Sequence, residues 1–81
     1  MNTMQTINWD ILKEKLQKCY DEHNSYIREF KMRNGNLILV TKFTHTEFKL
    51  TVTDTRGKVV LSPKINGPKE CYDIIYSLLN Q

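Results

Sequence analysis

The dipeptide Asn34-Gly35 stands between two alternating apolar runs, and this commits the middle of the chain to an antiparallel hairpin. Asn-Gly is the strongest short hairpin signal because both central positions of a tight two-residue turn need positive φ. Before it, Tyr26, Arg28, Phe30 and Met32 fall on one face of a strand over residues 25–33, and Ile27, Glu29, Lys31 and Arg33 on the other. A two-residue turn at Asn34-Gly35 sets Met32 opposite Leu37, Phe30 opposite Leu39 and Tyr26 opposite Phe43. A second tight turn is expected at His45-Thr46, pairing Phe43 with Phe48 and Leu39 with Val52. A third is expected at Arg56-Gly57, where the Asp54 side chain can accept from backbone N–H groups two residues on. Residues 58–61 make a short last strand, ended by Ser62-Pro63 because proline cannot donate to a ladder.

Helical patterns flank this meander. Trp9, Leu12, Leu16, Cys19 and Tyr20 recur on one stripe over residues 8–23, with Asn8 as N-cap and His23-Asn24 as the exit. Asn66-Gly67-Pro68 opens a second helix, proline being harmless at the first helical position. Cys71, Ile74, Ile75, Leu78 and Leu79 give that helix a broad apolar face. The expected fold is α+β: helix, a three- to four-stranded antiparallel meander, helix, with both helices on one face of the sheet. At 81 residues the chain has room for one such domain over positions 1–81.

In this register the helix-covered face collects Tyr26, Phe30, Met32, Leu37, Leu39, Phe43, Phe48, Leu50, Val52 and Leu61. The opposite face carries Lys31, Arg33, Lys42, Lys49 and Lys58 against Glu29 and Glu47, with Ile27, Ile38, Val40 and Val60 interleaved. Lys42 and Lys49 fall directly opposite each other, a repulsion that folding does not require and that a polyanion relieves. A solvated face whose lysines guard against edge aggregation accounts for the same pattern. With no exposed aromatic on this face, bound RNA would be read through shape and backbone. Ile38 and Val40 equally admit a protein partner.

The remaining signals exclude more than they assign. The longest unbroken apolar run, Leu37-Ile38-Leu39-Val40, is far short of a membrane span, and Met1 to Asp10 lack the features of a secretory signal. Cys19 and Cys71 fit no metal spacing, so free buried thiols in a reducing, cytoplasmic setting are expected, with no metal or cofactor. No phosphate-binding, dinucleotide, zinc-protease or nucleophile-elbow motif occurs. A Cys19/His23 pair at i and i+4 lacks a third orienting group, so no catalytic residue is expected.

Several stretches resemble a known family. Leu16-Gln17-Lys18-Cys19, Ser25 to Gly35, Leu50 to Lys58 and Tyr76-Ser77-Leu78-Leu79 are similar to the larger of the two small signal recognition particle proteins that bind the Alu domain of its RNA as a heterodimer. The Trp9 start and Gly35-Asn36-Leu37 resemble the smaller member. The strand from Leu37 to Thr44 departs from the pattern, lying where the larger member has a basic loop. The resemblance implies a sheet continued into a dimer partner and structured RNA on its outer face, at Lys31, Arg33, Lys42, Lys49, Arg56 and Lys58. The alternative is a small protein-binding module or inhibitor, such as a phage or mobile element encodes, that uses sheet face or edge, with Ile38 and Val40 among its contacts.

Overall fold

The computed structural model describes residues 7–81 and has the expected α+β order. Helix α1 (Trp9–Asp21) leads into strands β1 (Tyr26–Lys31), β2 (Leu37–Lys42), β3 (Lys49–Thr53) and β4 (Val59–Leu61), and α2 (Pro68–Leu79) follows. The four strands form one antiparallel sheet in sequence order. The reading of Met1 to Asp10 as carrying no signal falls largely outside the described residues.

Local chemistry sets the helix ends. The Asn8 side chain accepts from Ile11 N at 3.1 Å, which satisfies one of the orphan amides of the first turn of α1. The chain leaves α1 through His23, at φ 57, and Asn24 N donates back to Cys19 O at 3.0 Å. Pro68 sits in the first turn of α2, and Glu70 reaches back to accept from Asn66 N at 2.9 Å. Leu12, Leu16 and Cys19 of α1 join Cys71 and Ile75 of α2 in one buried cluster with Phe30, Ile38, Val40, Phe48, Leu50 and Val52 of the sheet layer. Trp9, on α1, sets its ring edgewise against Tyr72 and Tyr76 of α2, with centroids 6.0 and 4.9 Å away.

The hairpin loops are one residue longer than the tight turns expected. Met32 N donates to Asn36 O at 2.8 Å and Gly35 N to Met32 O at 3.0 Å, so Arg33, Asn34 and Gly35 form a three-residue loop. Gly35 takes its left-handed position at φ 91, and a Cβ there would also press on Thr55 Cγ2 at 3.1 Å. The same pattern recurs at Thr55-Arg56-Gly57, closed by Asp54 N to Lys58 O at 2.8 Å. There Asp54 Oδ1 accepts from Arg56 N and Lys58 N at 2.8 and 3.0 Å, the turn role expected of it. At the middle hairpin, Thr46 N donates to Phe43 O at 3.2 Å and His45 carries the positive φ of 65.

Each extra residue shifts a register by one. Phe30 pairs with Ile38 and Tyr26 with Lys42, and Ile38 pairs with Val52. The first two shifts cancel across β2, so β1 and β3 keep their expected faces and β2 is turned over; the third brings Val59, in place of Val60, opposite Thr53 on the outer face, and an irregularity at Val52/Thr53 returns Leu61 to its expected place opposite Val52. Ile38, Val40 and Lys42 therefore point toward the helices, and Leu37, Leu39 and Phe43 point away from them.

Candidate functional site

Because directly paired residues share a face, the register defines the uncovered side of the sheet. Its rows are Ile27–Thr41–Lys49, Glu29–Leu39–Thr51 and Lys31–Leu37–Thr53–Val59. Phe43 lies beyond Thr41 at the end of β2. Phe43 is 74% and Ile27 75% exposed, and Leu39 and Val59 are exposed as well. An antiparallel sheet with one wet face ordinarily alternates apolar-in with polar-out. Here the outer face carries a line of apolar side chains along β2.

The residues expected at a binding face are sorted by this register. Ile38 and Val40, expected as partner contacts, are both 0% exposed and sit in the core. Lys42, expected to face a polyanion opposite Lys49, is 3% exposed, and Lys49 is paired with Thr41. Lys31 and Lys49 do lie on the uncovered face. Arg33, Arg56 and Lys58 belong to the two loops that meet at the Gly35–Thr55 contact. A shallow hollow of about 400 Å³ opens there beside Lys31, Leu37, Thr53 and Asp54. A second cleft, of about 370 Å³, lies at the other end of β1 and β2 among Ser25, Tyr26, Ile27, Thr41, Lys42 and Phe43. The aromatic thought absent from this face, Phe43, is on it. Its parity follows the loop length, which the Asn-Gly signal left one residue short.

Lys42 instead serves the fold. Its Nζ donates to Asn24 O at 3.0 Å and to Phe43 O at 3.1 Å, tying the exit of α1 to the end of β2. Nearby, the Cys19 thiol donates to the same Asn24 carbonyl at 3.0 Å, and the His23 ring stacks on His45 with centroids 4.9 Å apart. Tyr26, in the same region, has its hydroxyl pKa raised by burial, with Arg28 pulling the other way.

Both cysteines are free and buried. Burial pushes the Cys71 thiol from its ordinary 9.0 up to about 12. The unfolded chain releases this proton near 9.0 while the folded chain holds it to about 12. The stability it contributes is therefore complete below pH 9.0 and is lost as pH rises through 12. We expect iodoacetamide at mildly alkaline pH to leave Cys71 unmodified in the native protein and to label it in urea, read by intact mass. Rapid native labelling contradicts this burial.

Among the described residues no group of three or more His, Cys, Asp and Glu is placed to hold a metal ion. No helix among them is long and apolar enough to cross a membrane. Residues 7–81 thus form a two-layer α+β domain in which, among the described residues, one face of the sheet is uncovered and in part apolar. Comparison with protein-family models, with curated proteins and with solved structures finds no match.

Proposed function

We propose that the chain is a non-catalytic binding module that docks a protein partner on the uncovered face of its sheet, in a reducing, cytoplasmic setting. The observation that carries this reading is the exposure of Ile27, Leu39, Phe43 and Val59 on one sheet face, where folding alone gives no reason for them. Contiguous exposed apolar surface rimmed by charge is a common mark of an interaction site. The same feature favours the protein-binding alternative over RNA docking. Structured RNA, as the Alu-protein resemblance implies, has a specific observation in its favour. Residues 25–64 hold eight Lys and Arg against three Asp and Glu, while the rest of the chain holds four against six. Of the six cations that reading uses, however, Lys42 is buried, and the line between Lys31 and Lys49 is aliphatic.

The test is photocrosslinking in the native host with a benzophenone side chain at position 43. A discrete protein adduct, lost in Leu39→Glu, is the expected result. Adducts to nucleic acid, or equal protein capture from Lys15 on the helical side, overturn the reading. The double variant Ile27→Ser, Leu39→Thr is expected to lose the adduct from position 43 and yet melt near the parent temperature. Surface changes of this kind cost roughly ±0.5 kcal/mol each.

A further inference from the structure

We infer that the partner segment on this face is an acidic amphipathic helix lying along β2. This rests on the protein-docking reading above and adds the shape and charge of what is docked.

Shape comes first. Leu37 and Leu39 lie along β2 and Phe43 follows just past its end, beyond Thr41, with Ile27 paired to Thr41 on β1. The apolar surface is therefore a ridge more than a round patch. At about 3.3 Å per residue, Leu37 to Phe43 spans roughly 20 Å. A helix covers roughly 20 Å in about 13 residues, and its i, i+3, i+4, i+7 positions form a matching straight stripe. An added strand is a poorer fit here. β2 is paired on both sides, by β1 and by β3, so its backbone groups are already engaged and the contact must be made by side chains.

Charge then separates the possible occupants. Lys31 flanks the ridge on the β1 side and Lys49 on the β3 side, and Arg33, Arg56 and Lys58 stand in the loops at its Leu37 end. Glu29 is the acid within the rows of the face. A second copy of this chain would set Lys31 and Lys49, with the loop cations Arg33, Arg56 and Lys58, against the same set, with Glu29 the acid within the rows of each face. Like-charge juxtaposition of that kind opposes association. A helix with an apolar stripe flanked by Glu and Asp meets both the ridge and the lysines beside it. It would also complete a second helical layer on a sheet that has one already.

The probes are two stapled peptides of about 14 residues with the same Leu/Phe stripe, one flanked by Glu and the other by Lys, together with a U-rich RNA oligomer. Binding is followed by fluorescence anisotropy at low and high salt, and the site by backbone amide shifts. The expected result is that the Glu-flanked helix binds at least roughly tenfold more tightly than the Lys-flanked one and weakens with salt. Its shifts should centre on Leu37, Leu39, Thr41 and Phe43, and Leu39→Glu should abolish them. Equal binding of both helices at that site overturns the acidic partner and leaves the docking face standing. Silence from both helices, with a protein adduct still formed from position 43, overturns the helical occupant alone. RNA binding abolished by Lys31→Glu with Lys49→Glu, both helices being silent, overturns this inference and the protein reading together.

Discussion

Lys42→Glu is expected to destabilise the domain severely, whereas Lys49→Glu leaves its stability almost unchanged. The two lysines lie at opposite ends of the burial scale, Lys42 being buried and Lys49 exposed. Lys42 Nζ donates to two backbone carbonyls, those of Asn24 and Phe43. A glutamate there removes both donors and turns a carboxylate toward two carbonyl oxygens at a position that is itself buried. Breaking a buried charged arrangement in this way costs about 3–5 kcal/mol. The whole stability of a small domain is about 5–15 kcal/mol. Thermal and urea denaturation followed by circular dichroism should show both midpoints falling steeply as a large part of that stability is lost. Acid should restore part of it, because a protonated glutamic acid can donate one hydrogen bond. The buried carboxyl has a raised pKa in the folded state, so the variant gains stability as pH falls. The Lys49→Glu change, on the uncovered face, should move stability by no more than roughly 0.5 kcal/mol. Equal tolerance of the two substitutions would place Lys42 at the surface and return it to the set of cations available to RNA.

The second large effect is carried by neighbouring residues of β2. Ile38→Ala should cost about 2–5 kcal/mol, since it empties a fully buried site between Phe30 and Val52. For a domain of this size each kcal/mol lowers the melting temperature by about 4–8 °C. Leu39→Ala, on the outer face, should cost far less. The pair reads the parity of β2 directly: a larger loss at Leu39 than at Ile38 would show that β2 faces the other way and that the apolar ridge belongs to the core.

The parity of β2 is also where the sequence was hardest to read. Both helices, their caps and the order of the strands follow from periodicity and end signals, and Asn8, Pro68 and Asp54 act as their chemistry predicts. The faces of β1 and β3 are correct because Phe30, Leu50 and Val52 alternate with polar neighbours. In β2, Leu37-Ile38-Leu39-Val40 is apolar on both sides, so it carries no period-two signal. Only loop length can then set its face. Gly35 fits the second position of a two-residue turn and the left-handed third position of a three-residue loop equally well. The parallel with Thr55-Arg56-Gly57, where glycine again closes a three-residue loop, was the available clue. Lys42 points the same way as the two-residue turn, since a lysine is expected to face water. The candidate site inherits that inversion: Ile38, Val40 and Lys42 leave it, Leu37, Leu39 and Phe43 enter it, Lys31 and Lys49 keep their places, and the longer Thr55-Arg56-Gly57 loop separately puts Val59 where Val60 is expected.

The aromatic contact between the two helices has an optical consequence. Trp9 is the chain's sole tryptophan, and Tyr72 and Tyr76 lie close enough to pass excitation to it. Its emission therefore reports whether α1 and α2 are docked. The uncovered face lies on the far side of the sheet, so a ligand seated there leaves this chromophore in place. In one cuvette, an unchanged tryptophan spectrum during a titration marks occupancy of the face, and a red shift with loss of tyrosine-sensitised emission marks the fold coming apart.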